Sequence, residues 1–585
     1  MGVINSGCQE STCLVDQKSV YFRIVNTCFQ LIPILFLAGR LIHIWTQTPP
    51  NLTAQFDDDA FYYLKVAQNI VHSHHPSFDQ ITTTNGWHPL WLGLLLPFTY
   101  FIDDRVQLLR FVASFSTVLL AIAYYLTIKF LVRNYHIVTA AFVVCGTLYW
   151  IVKEYAYGHM ESSILLPLCV ACISRLPSMI LEPNRRSAIL VGVLFAMTFL
   201  ARLDAVFLIM CLLLVTLIAI FYRKEVSKSE FVKLALIMTV PSFVVGTIYI
   251  GANYFVFGHP VPVSGYVKSL NSLMAGSFNW VLLAQLWTRD WLPFSCITIF
   301  TVAYLITMLL ARSSRVFLAT RTPGLFAISI GVSLFNVFLP LYYLFCSSWA
   351  MWFWYQYPAF LSTVFVIPLV LDGLLLYVLR TVRRQIVYSG LRIAVTAMAL
   401  FALMYGGKDL VKPNRDRSDS FQYNNYLLAQ EMNKEFPDKN LVAMGDRAGS
   451  FAYWYDGNVL QIEGVIGDYK LVDAIQRNDL ANFLTRHGVQ LLVHWSYQYP
   501  DTPSEPSGRV HNLLRKLWSP TIDFAPAENY VHWDLVTPWP FLSMGPYARL
   551  RVYKKDEALK FRYNNGFIYV WKWPGSEPQQ EGDRR

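Results

Sequence analysis

Long apolar stretches dominate this chain and restrict what it can fold into. Twelve of them are long enough, or nearly long enough, to cross a bilayer, at residues 22–46, 88–103, 108–132, 137–155, 161–178, 187–203, 204–222, 232–255, 291–312, 324–346, 357–378 and 390–406. A transmembrane helix needs about 20 mostly apolar residues, and lipid offers no hydrogen-bond partner to an irregular backbone. Charged residues make up 15% of the chain, against about 25% in soluble proteins. The sequence therefore predicts a polytopic α-helical membrane protein.

Basic residues occupy alternate loops and predict the orientation of the chain. They are Lys18, Arg23, Arg185, Arg186, Arg223, Lys224, Lys228, Lys233, Arg312, Arg315, Arg321, Arg380, Arg383 and Arg384. Because basic loops stay on the cytoplasmic side, the N-terminus is predicted to be cytoplasmic and the region after residue 406 extracytoplasmic. The net charge of +10 belongs to these loops, and no nucleic-acid-binding motif accompanies it.

Termini on opposite sides require an odd number of crossings, which the twelve stretches do not provide. The three stretches between residues 88 and 155 must return the chain to the side on which it started. One of them is therefore expected to be short, re-entrant or interfacial. We expect about eleven transmembrane helices, or thirteen if the hydropathy pattern misses a segment.

Composition divides the chain into regions of different character. Residues 1–21 form a polar cytoplasmic segment, and residues 22–406 form the transmembrane region with a first external loop at 47–87. Residues 407–574 alternate short β-rich runs with Gly turns and a helical pattern, LVDAIQRNDLANFLTRHG, and GVQLLVHW and ARLRVYKK are typical of strands. This pattern predicts an extracytoplasmic α/β domain, followed by a disordered tail at 575–585.

Three consecutive aspartates, Asp57, Asp58 and Asp59, lie in the first external loop. Carboxylates are costly in hydrocarbon, so acids at the membrane edge usually mark a functional site. The stretch that follows them, AFYYLKVAQNIVHSHHP, has helical amphipathic spacing and is predicted to lie flat on the membrane surface. A structural alternative is that the acids cap this helix, but one aspartate is enough for a cap. We therefore predict an active-site loop.

Other polar turns on the predicted external face carry further candidate residues. They are Trp87 and His88 in TTTNGWHPLW, His159 and Glu161 in YGHMESS, Arg202 and Asp204 in ARLDA, and Tyr266 and Lys268 in FGHPVPVSGYVKS. Acids and bases gathered on one membrane face suit an anionic lipid substrate. The structural alternatives are an interfacial aromatic belt for His88, a helix cap for Glu161, and a mutual ion pair for Arg202 and Asp204.

Several residues near the ends of the apolar stretches are predicted to lie at the membrane interface. The aromatic residues of this kind are Trp349, Trp352, Trp354, Tyr355 and Tyr357. They favour an aromatic belt, with stacking on a sugar as the alternative. Arg40 and His43 are expected to extend from the first helix to the interface.

The acidic loop and the turns together resemble the GT-C superfamily of integral-membrane glycosyltransferases. The motifs DDAFYYLKVA and NGWHPLW, with the FGxPxP pattern that ends in Lys268, most resemble the bacterial arabinofuranosyltransferase-like group. The resemblance covers roughly residues 20–410 in architecture, but its specific motifs occupy only a few dozen residues. It implies a GT-C-like membrane domain in the plasma (bacterial inner) membrane.

The resemblance also implies a reaction and residue roles. Such enzymes transfer a sugar from a polyprenyl-phosphate donor to an acceptor hydroxyl, usually with inversion, and the acceptor is a glycan, a lipid or a protein. Asp58 is then the expected general base, Asp59 orients a sugar, and Asp57 is an extra acid. Lys268 and Arg202 are expected to bind the donor phosphate. The expected sugar-binding residues are His88, Trp87, Glu161, His159, Asp204, Tyr266 and Tyr355.

No metal or other cofactor is expected to be required, because the leaving group is a monophosphate; a divalent ion at the acidic loop is the alternative. The rival function is a transporter or flippase of lipid-linked sugars. Transporters typically have internal repeats and charges near the bilayer midplane. Here the candidate charges lie at one face and the two halves do not match, which favours the enzyme.

Overall fold

The computed structural model describes most of the chain. It covers residues 20–223, 225–270, 278–288, 290–311, 322–347, 349, 351–381, 384–411, 417–418, 420–445, 447–477 and 479–496, and the strands at 530–533, 550–554, 559–563 and 566–572. By contacts the chain divides into two units. Unit 1 comprises Met1–Ala60, His88–Pro260 and Ser272–Asp416, and unit 2 comprises Phe61–Trp87, Val261–Asn271 and Arg417–Arg585. The predicted segment 1–21 lies almost wholly outside the described residues, as does the tail 575–585.

Helices account for nearly all of the described chain up to residue 411. They are α1 (Val20–Thr46), α2 (Pro49–Thr53), α3 (Asp58–Ser73), α4 (Pro89–Phe101), α5 (Arg105–Asn134), α6 (Ile137–Trp150), α7 (Ser162–Leu181), α8 (Arg185–Ala201), α9 (Val206–Phe221), α10 (Lys228–Phe257), α11 (Val263–Ser269), α12 (Trp280–Gln285), α13 (Leu292–Leu310), α14 (Pro323–Cys346), α15 (Tyr357–Phe365), α16 (Ile367–Thr381), α17 (Arg384–Gly406) and α18 (Lys408–Val411). A π-helical turn follows α6 at Ile151–Tyr155, and 3₁₀ turns lie at Leu203–Ala205 and Phe353–Gln356.

Each of the twelve predicted apolar stretches is helical, but not all are of full length. Among the described residues, nine helical segments are long and apolar enough to cross a membrane: α1, α5, α7, α9 with its preceding turn, α10, α13, α14, the segment Phe353–Leu379, and α17. The chain is a multi-pass membrane protein. The remaining three stretches are α4, α6 and α8, with 13, 14 and 17 residues.

The region between residues 88 and 155 contains two short helices where the sequence predicted one short segment. At about 1.5 Å per residue, α4 and α6 each extend about 20 Å, less than the ~30 Å hydrocarbon core. Helix α4 ends before Asp104, whose side chain caps the next helix by accepting from Gln107 N at 2.7 Å. Together with α8, these two short helices reduce the twelve stretches to nine of full length among the described residues, where the sequence predicted about eleven.

Part of the predicted polar face of the helix after the acidic loop is buried, and the position of this helix relative to a membrane stays a prediction. Every residue of α3 from Ala60 to Ala67 is buried, and Lys65 is only 9% exposed. Asn69, placed on the predicted polar face, is 3% exposed and donates to Ser77 O and Phe78 O. The following loop folds back onto Asn69, which therefore contacts protein, whereas His72 near the end of the helix is exposed.

Unit 2 contains the predicted α/β region. Its further elements are α19 (Phe421–Glu435), β1 (Val442–Met444), α20 (Ala448–Trp454), β2 (Val459–Gln461), α21 (Tyr469–Gln476), α22 (Leu480–Arg486), β3 (Leu491–Ser496), β4 (Tyr530–Trp533), β5 (Leu550–Lys554), β6 (Leu559–Tyr563) and β7 (Gly566–Lys572). The main sheet has the order β2-β1-β3-β7-β6, and β4 pairs with β5. Strands β1, β2 and β3 are parallel, whereas β7 is antiparallel to both β3 and β6.

The predicted strands at GVQLLVHW and ARLRVYKK correspond to β3 and β5 and are confirmed. The single predicted helix over LVDAIQRNDLANFLTRHG is instead two helices, α21 and α22. The break comes where Arg477 N donates to Asp473 O and Asp479 N donates back to Ala474 O, which closes the first helix. Both helices bury apolar side chains, including Leu471 and Leu484, in one core with the parallel strands.

Candidate active site

Two polar turns that are far apart in sequence are joined by backbone pairing. Phe56 and Gly158 form an isolated parallel bridge. Gly158 N donates to Gln55 O at 2.9 Å, and Asp57 N donates to Gly158 O at 3.3 Å. The acidic loop is thereby attached to the YGHMESS turn, so the structure brings together two of the predicted motifs.

Gly158 is required by both its conformation and its neighbour. Its φ is +108°, a region that L side chains rarely adopt. A Cβ at this position would overlap the Asp57 carboxylate, which lies directly against Gly158. The adjacent His159 is buried, and its ring packs on Phe56 with centroids 4.5 Å apart. The Asp57 side chain is therefore packed closely against Gly158.

The other two acids of the loop begin α3. Asp58 and Asp59 are its first residues, and Ala60 N donates to Asp57 O at 3.0 Å. All three aspartates are half-buried. Acidic residues in the first turn stabilise a helix through its macrodipole, so Asp58 and Asp59 also favour the start of α3 at this point. Backbone pairing at Asp57 and helix initiation at Asp58 give the loop a defined shape.

A buried arginine organises the third turn. Arg202, 1% exposed, donates from Nε to Asp204 Oδ1 at 2.9 Å and from Nη2 to Asp204 Oδ2 at 3.1 Å. Its Nη1 donates to Glu161 Oε1 at 2.8 Å. The ion pair of Arg202 with Asp204 that the sequence left open is therefore present, with Glu161 as a further partner. A contact of Arg202 with a donor phosphate stays a prediction.

Tyrosines complete the surroundings of this ion pair. Tyr343 and Tyr357 donate to the Asp204 carboxylate at 2.9 and 3.1 Å. The Tyr355 ring lies 4.2 Å from the Arg202 guanidinium carbon, a cation–π distance. Tyr355 and Tyr357 are 7% and 0% exposed, so they are not part of an interfacial belt. The belt interpretation was wrong for these two residues because their rings pack on a buried charge.

His88 joins the same group from the start of α4. It is the N-cap residue before Pro89, and its extended backbone turns the ring toward the third turn. Leu203 N donates to His88 Nδ1 at 3.4 Å, and His88 Nε2 lies 3.9 Å from Glu161 Oε1. With Nδ1 accepting, the ring proton is on Nε2 and faces Glu161.

The two carboxylate oxygens of Glu161 differ in their contacts with the described residues. Its Oε1 accepts from Arg202, but its Oε2 has no hydrogen-bond partner within the part of the chain that the structure describes. The side chain is 2% exposed. A buried carboxylate oxygen without a donor is costly, and a hydroxyl of a bound molecule would satisfy it.

Lys268, Tyr266 and Trp87 belong to unit 2. Lys268 lies in the last turn of α11 and is half-buried, and Tyr266 packs on Tyr469 with ring centroids 5.7 Å apart. Asn85 fixes the start of this helix, since its Oδ1 accepts from Val263 N at 2.8 Å.

Trp87 lies on the same loop as Asn85, and its Nε1 donates to Thr84 O at 3.1 Å. A Cβ on the intervening Gly86 would overlap Val465 O. The Asn-Gly pair of NGWHP therefore has a structural role that the sequence did not reveal.

Arg40 was expected at the membrane interface and is instead 1% exposed. It donates to Gln55 Oε1 at 3.2 Å, to Ala156 O at 2.8 Å and to Asp409 Oδ2 at 3.4 Å. His43 is likewise buried. An arginine inside an apolar stretch was the available signal, since such residues rarely lie there without a polar partner.

No cluster of three or more His, Cys, Asp or Glu side chains that could hold a metal ion occurs among the described residues. This observation does not test whether the protein needs a metal ion. The three aspartates are adjacent in sequence, but their half-buried side chains do not form such a group with other residues of the described chain.

Comparison with known proteins finds similar solved structures but no matching sequence. No protein-family model and no curated protein sequence matches the chain. Among solved structures, ArnT from Cupriavidus metallidurans bound to undecaprenyl phosphate is similar over 93% of this chain and 99% of its own, with a TM-score of 0.46 and 12% identity. Archaeal oligosaccharyltransferase AglB from Archaeoglobus fulgidus, in complex with an inhibitory peptide and a dolichol-phosphate, is similar over 81% and 70%, with a TM-score of 0.45 and 10% identity.

Proposed function

We propose that this protein is a membrane glycosyltransferase of the GT-C type. It would move a sugar from a polyprenyl-phosphate donor to an acceptor hydroxyl at the extracytoplasmic face, with inversion at the anomeric carbon. The observation that carries the proposal is the acidic loop: three half-buried aspartates whose backbone is paired with a second polar turn. A protein that only needed a helix cap would not need this arrangement.

Asp58 is the proposed general base. It removes the proton of the acceptor hydroxyl, the acceptor oxygen bonds to the anomeric carbon, and the bond from that carbon to the phosphate oxygen breaks with its electron pair leaving on the polyprenyl phosphate. Such a base must come within about 2.6–3.2 Å of the hydroxyl. The packing of the Asp57 carboxylate on Gly158 supports the choice of Asp58 over Asp57. Asp59 would orient the acceptor or the donor sugar.

The donor phosphate requires a cation as negative charge develops on it. Lys268 is the proposed point contact, because a flexible ammonium suits a phosphate oxygen. Arg202 already donates to two carboxylates, which supports a role in holding Glu161 and Asp204. A direct contact of Arg202 with phosphate stays the sequence-based proposal. Because the leaving group is a monophosphate, no metal is chemically required.

The sugar is proposed to contact the group around Glu161. Glu161 Oε2, which accepts no hydrogen bond from the described residues, supports acceptance of a sugar hydroxyl, and His88 Nε2 lies 3.9 Å from the other oxygen, Oε1. His159, Asp204, Trp87, Tyr266 and Tyr355 remain proposed sugar-binding residues on sequence grounds. A pentose such as arabinofuranose is the proposed sugar, by the resemblance of the motifs alone.

The test is turnover by the purified full-length protein in detergent. A radiolabelled polyprenyl-phosphate pentose or hexose is supplied with a host membrane fraction that provides acceptors. We expect transfer that is lost in Asp58→Asn, reduced in Asp59→Asn, and retained in Asp103→Asn, an exposed acid outside the loop. Wild-type turnover in every single Asn variant of the loop would overturn the proposal. For the rival function, the same protein is reconstituted into lipid vesicles; movement of intact donor between the leaflets without turnover would support the flippase.

A further inference from the structure

We infer that Arg40 is a positioning residue. It binds the two chain segments that pair at Phe56 and Gly158, and it thereby holds the acidic loop in the conformation needed for catalysis. The inference rests on the proposed function for its catalytic consequence, but its structural part does not. Arg40 lies on the first membrane-spanning helix, 17 residues before Asp57 in the sequence.

Arg40 contacts both arms of the bridge that holds Asp57. On one arm, its Nη2 donates to the Gln55 side chain at 3.2 Å. On the other, the same nitrogen donates to Ala156 O at 2.8 Å, and the guanidinium lies 4.2 Å from the Tyr157 ring centroid. One planar group thus fixes the residues directly before Phe56 and directly before Gly158.

The backbone bridge connects the residues that Arg40 binds to the three aspartates. Gln55 is held twice, because its side chain accepts from Arg40 and its backbone oxygen accepts from Gly158 N. Asp57 N then donates to Gly158 O, and Asp57 O accepts from Ala60 N in the first turn of α3. A shift of Gln55 or Ala156 would therefore move the turn that carries Asp58 and Asp59.

Asp409 supplies the counter-charge but not the positioning. Its carboxylate, 3.4 Å from Arg40 Nη1, lies on α18 just beyond the last spanning helix. Both side chains are almost fully buried. Removing the carboxylate leaves the contacts to Gln55 and Ala156 in place, whereas removing the guanidinium breaks every contact. Lysine keeps the charge but lacks the planar fork that reaches several acceptors at once.

The test compares Arg40→Lys, Arg40→Met and Asp409→Asn in the full-length protein, with Arg185→Gln as the matched control. Arg185 also makes an ion pair, with Glu230 at 3.1 Å, but it is exposed. Backbone amide exchange is followed in peptides spanning 54–60 and 155–162, and steady-state transfer is measured in parallel.

We expect both Arg40 variants to accelerate exchange in these two peptides by about tenfold or more, with little change in peptides from α9. We expect kcat to fall on the order of a hundredfold, as for a misplaced catalytic group, with KM nearly unchanged. Asp409→Asn should show a smaller loss, and Arg185→Gln none.

Unchanged exchange in both loop peptides of Arg40→Lys would overturn the inference. So would equal effects of Asp409→Asn and Arg40→Lys, since the ion pair alone would then explain the loss. If the wild-type protein has no transferase activity but the exchange pattern appears as expected, the proposed function fails and the positioning of the loop stands. If Arg40→Met does not fold, Arg40→Lys and Asp409→Asn still decide.

Discussion

Arg202 and Arg40 are both about 1% exposed, yet their charges are balanced in different ways. Arg202 has two carboxylate partners, at 2.8 and 2.9 Å, so its centre carries one positive and two negative formal charges. Arg40 has one carboxylate at 3.4 Å and otherwise neutral acceptors, an amide oxygen and a backbone carbonyl. The group around Arg202 therefore has one formal negative charge in excess, whereas Arg40 mainly fixes segments of the backbone.

The two arginines can therefore contribute in different ways. A centre with a surplus carboxylate can offer an acceptor to a ligand, and Glu161 Oε2 is such an oxygen. A neutral centre that binds a carbonyl and an amide fixes chain geometry without presenting charge. Residue type alone does not distinguish these uses, because the partners come from distant parts of the sequence.

The largest expected effect is the loss of Arg202. Arg202→Met leaves two buried carboxylates without a cation, and breaking a buried pair costs about 3–5 kcal/mol. Arg40→Met leaves only one such carboxylate, so it should lower the thermal midpoint in detergent less. Adding Glu161→Gln and Asp204→Asn to Arg202→Met should recover much of the loss. The comparison breaks if Arg40→Met is the more destabilising variant.

The second expected effect concerns Gly158, on the Arg40 side of the comparison. Gly158→Ala forces a Cβ into the place of the Asp57 carboxylate at a φ of +108°. Backbone strain of this kind costs about 1–3 kcal/mol, and the displaced carboxylate adds to it. We expect a lower thermal midpoint and faster amide exchange at residues 55–60.

Gly93→Ala is the control for Gly158→Ala, because a Cβ at Gly93 in α4 would meet nothing within 4 Å. It should be neutral or stabilising by up to about 1 kcal/mol, as for alanine in a helix. Equal stability of Gly158→Ala and the wild type would show that the close packing on Asp57 is not important.

The third effect tests the tyrosines around the Arg202 centre. Tyr343→Phe and Tyr357→Phe each remove one donor from the Asp204 carboxylate. A hydrogen bond to a charged group contributes about 1.5–3 kcal/mol, so each variant should unfold at lower temperature. Tyr342→Phe is the neighbouring control, since Tyr342 is 38% exposed, and it should change stability by less than about 0.5 kcal/mol. Equal midpoints for all three variants would contradict the assignment.

The smallest effect concerns Asp468, a carboxyl in unit 2. Burial raises the pKa of Asp468 above its ordinary value of 3.8, and the nearby Asp79 adds to the rise. The folded state therefore holds this proton more tightly than the unfolded chain does. The stability it contributes is fully present below pH 3.8 and is lost as pH rises through the raised value.

Asp468→Asn removes this titration while keeping an acceptor for Leu471 N, which the native side chain caps at 2.8 Å. The stability of the wild type relative to Asp468→Asn should therefore decline as pH rises above the ordinary Asp pKa of 3.8. Amide exchange in α21 over this range measures the difference. A difference that grows with pH would have the opposite sign and contradict the shift.

Much of the molecule could be predicted because its signals are local. Each of the twelve apolar stretches that hydropathy identified is helical, and alternation identified strands such as β3. The chemistry of the ARLDA turn was also local, since Arg202 and Asp204 are two residues apart and pair with each other. By contrast, the burial of Asn69 on the polar face of α3 was not predicted, because the loop that covers it is not visible in the periodicity.

The sequence by itself determined that this chain is a multi-pass helical membrane protein with an α/β region and three adjacent acids outside its long apolar helices. Only the tertiary structure decided what surrounds those acids. Arg40 and Asp409 are 369 positions apart, and Gly158 pairs with Phe56 across about a hundred residues. Apolar length and charge act through the solvent at each position, so they can be read along the chain. Ion pairs and backbone bridges depend on which segments meet, and that is set by packing of the whole fold.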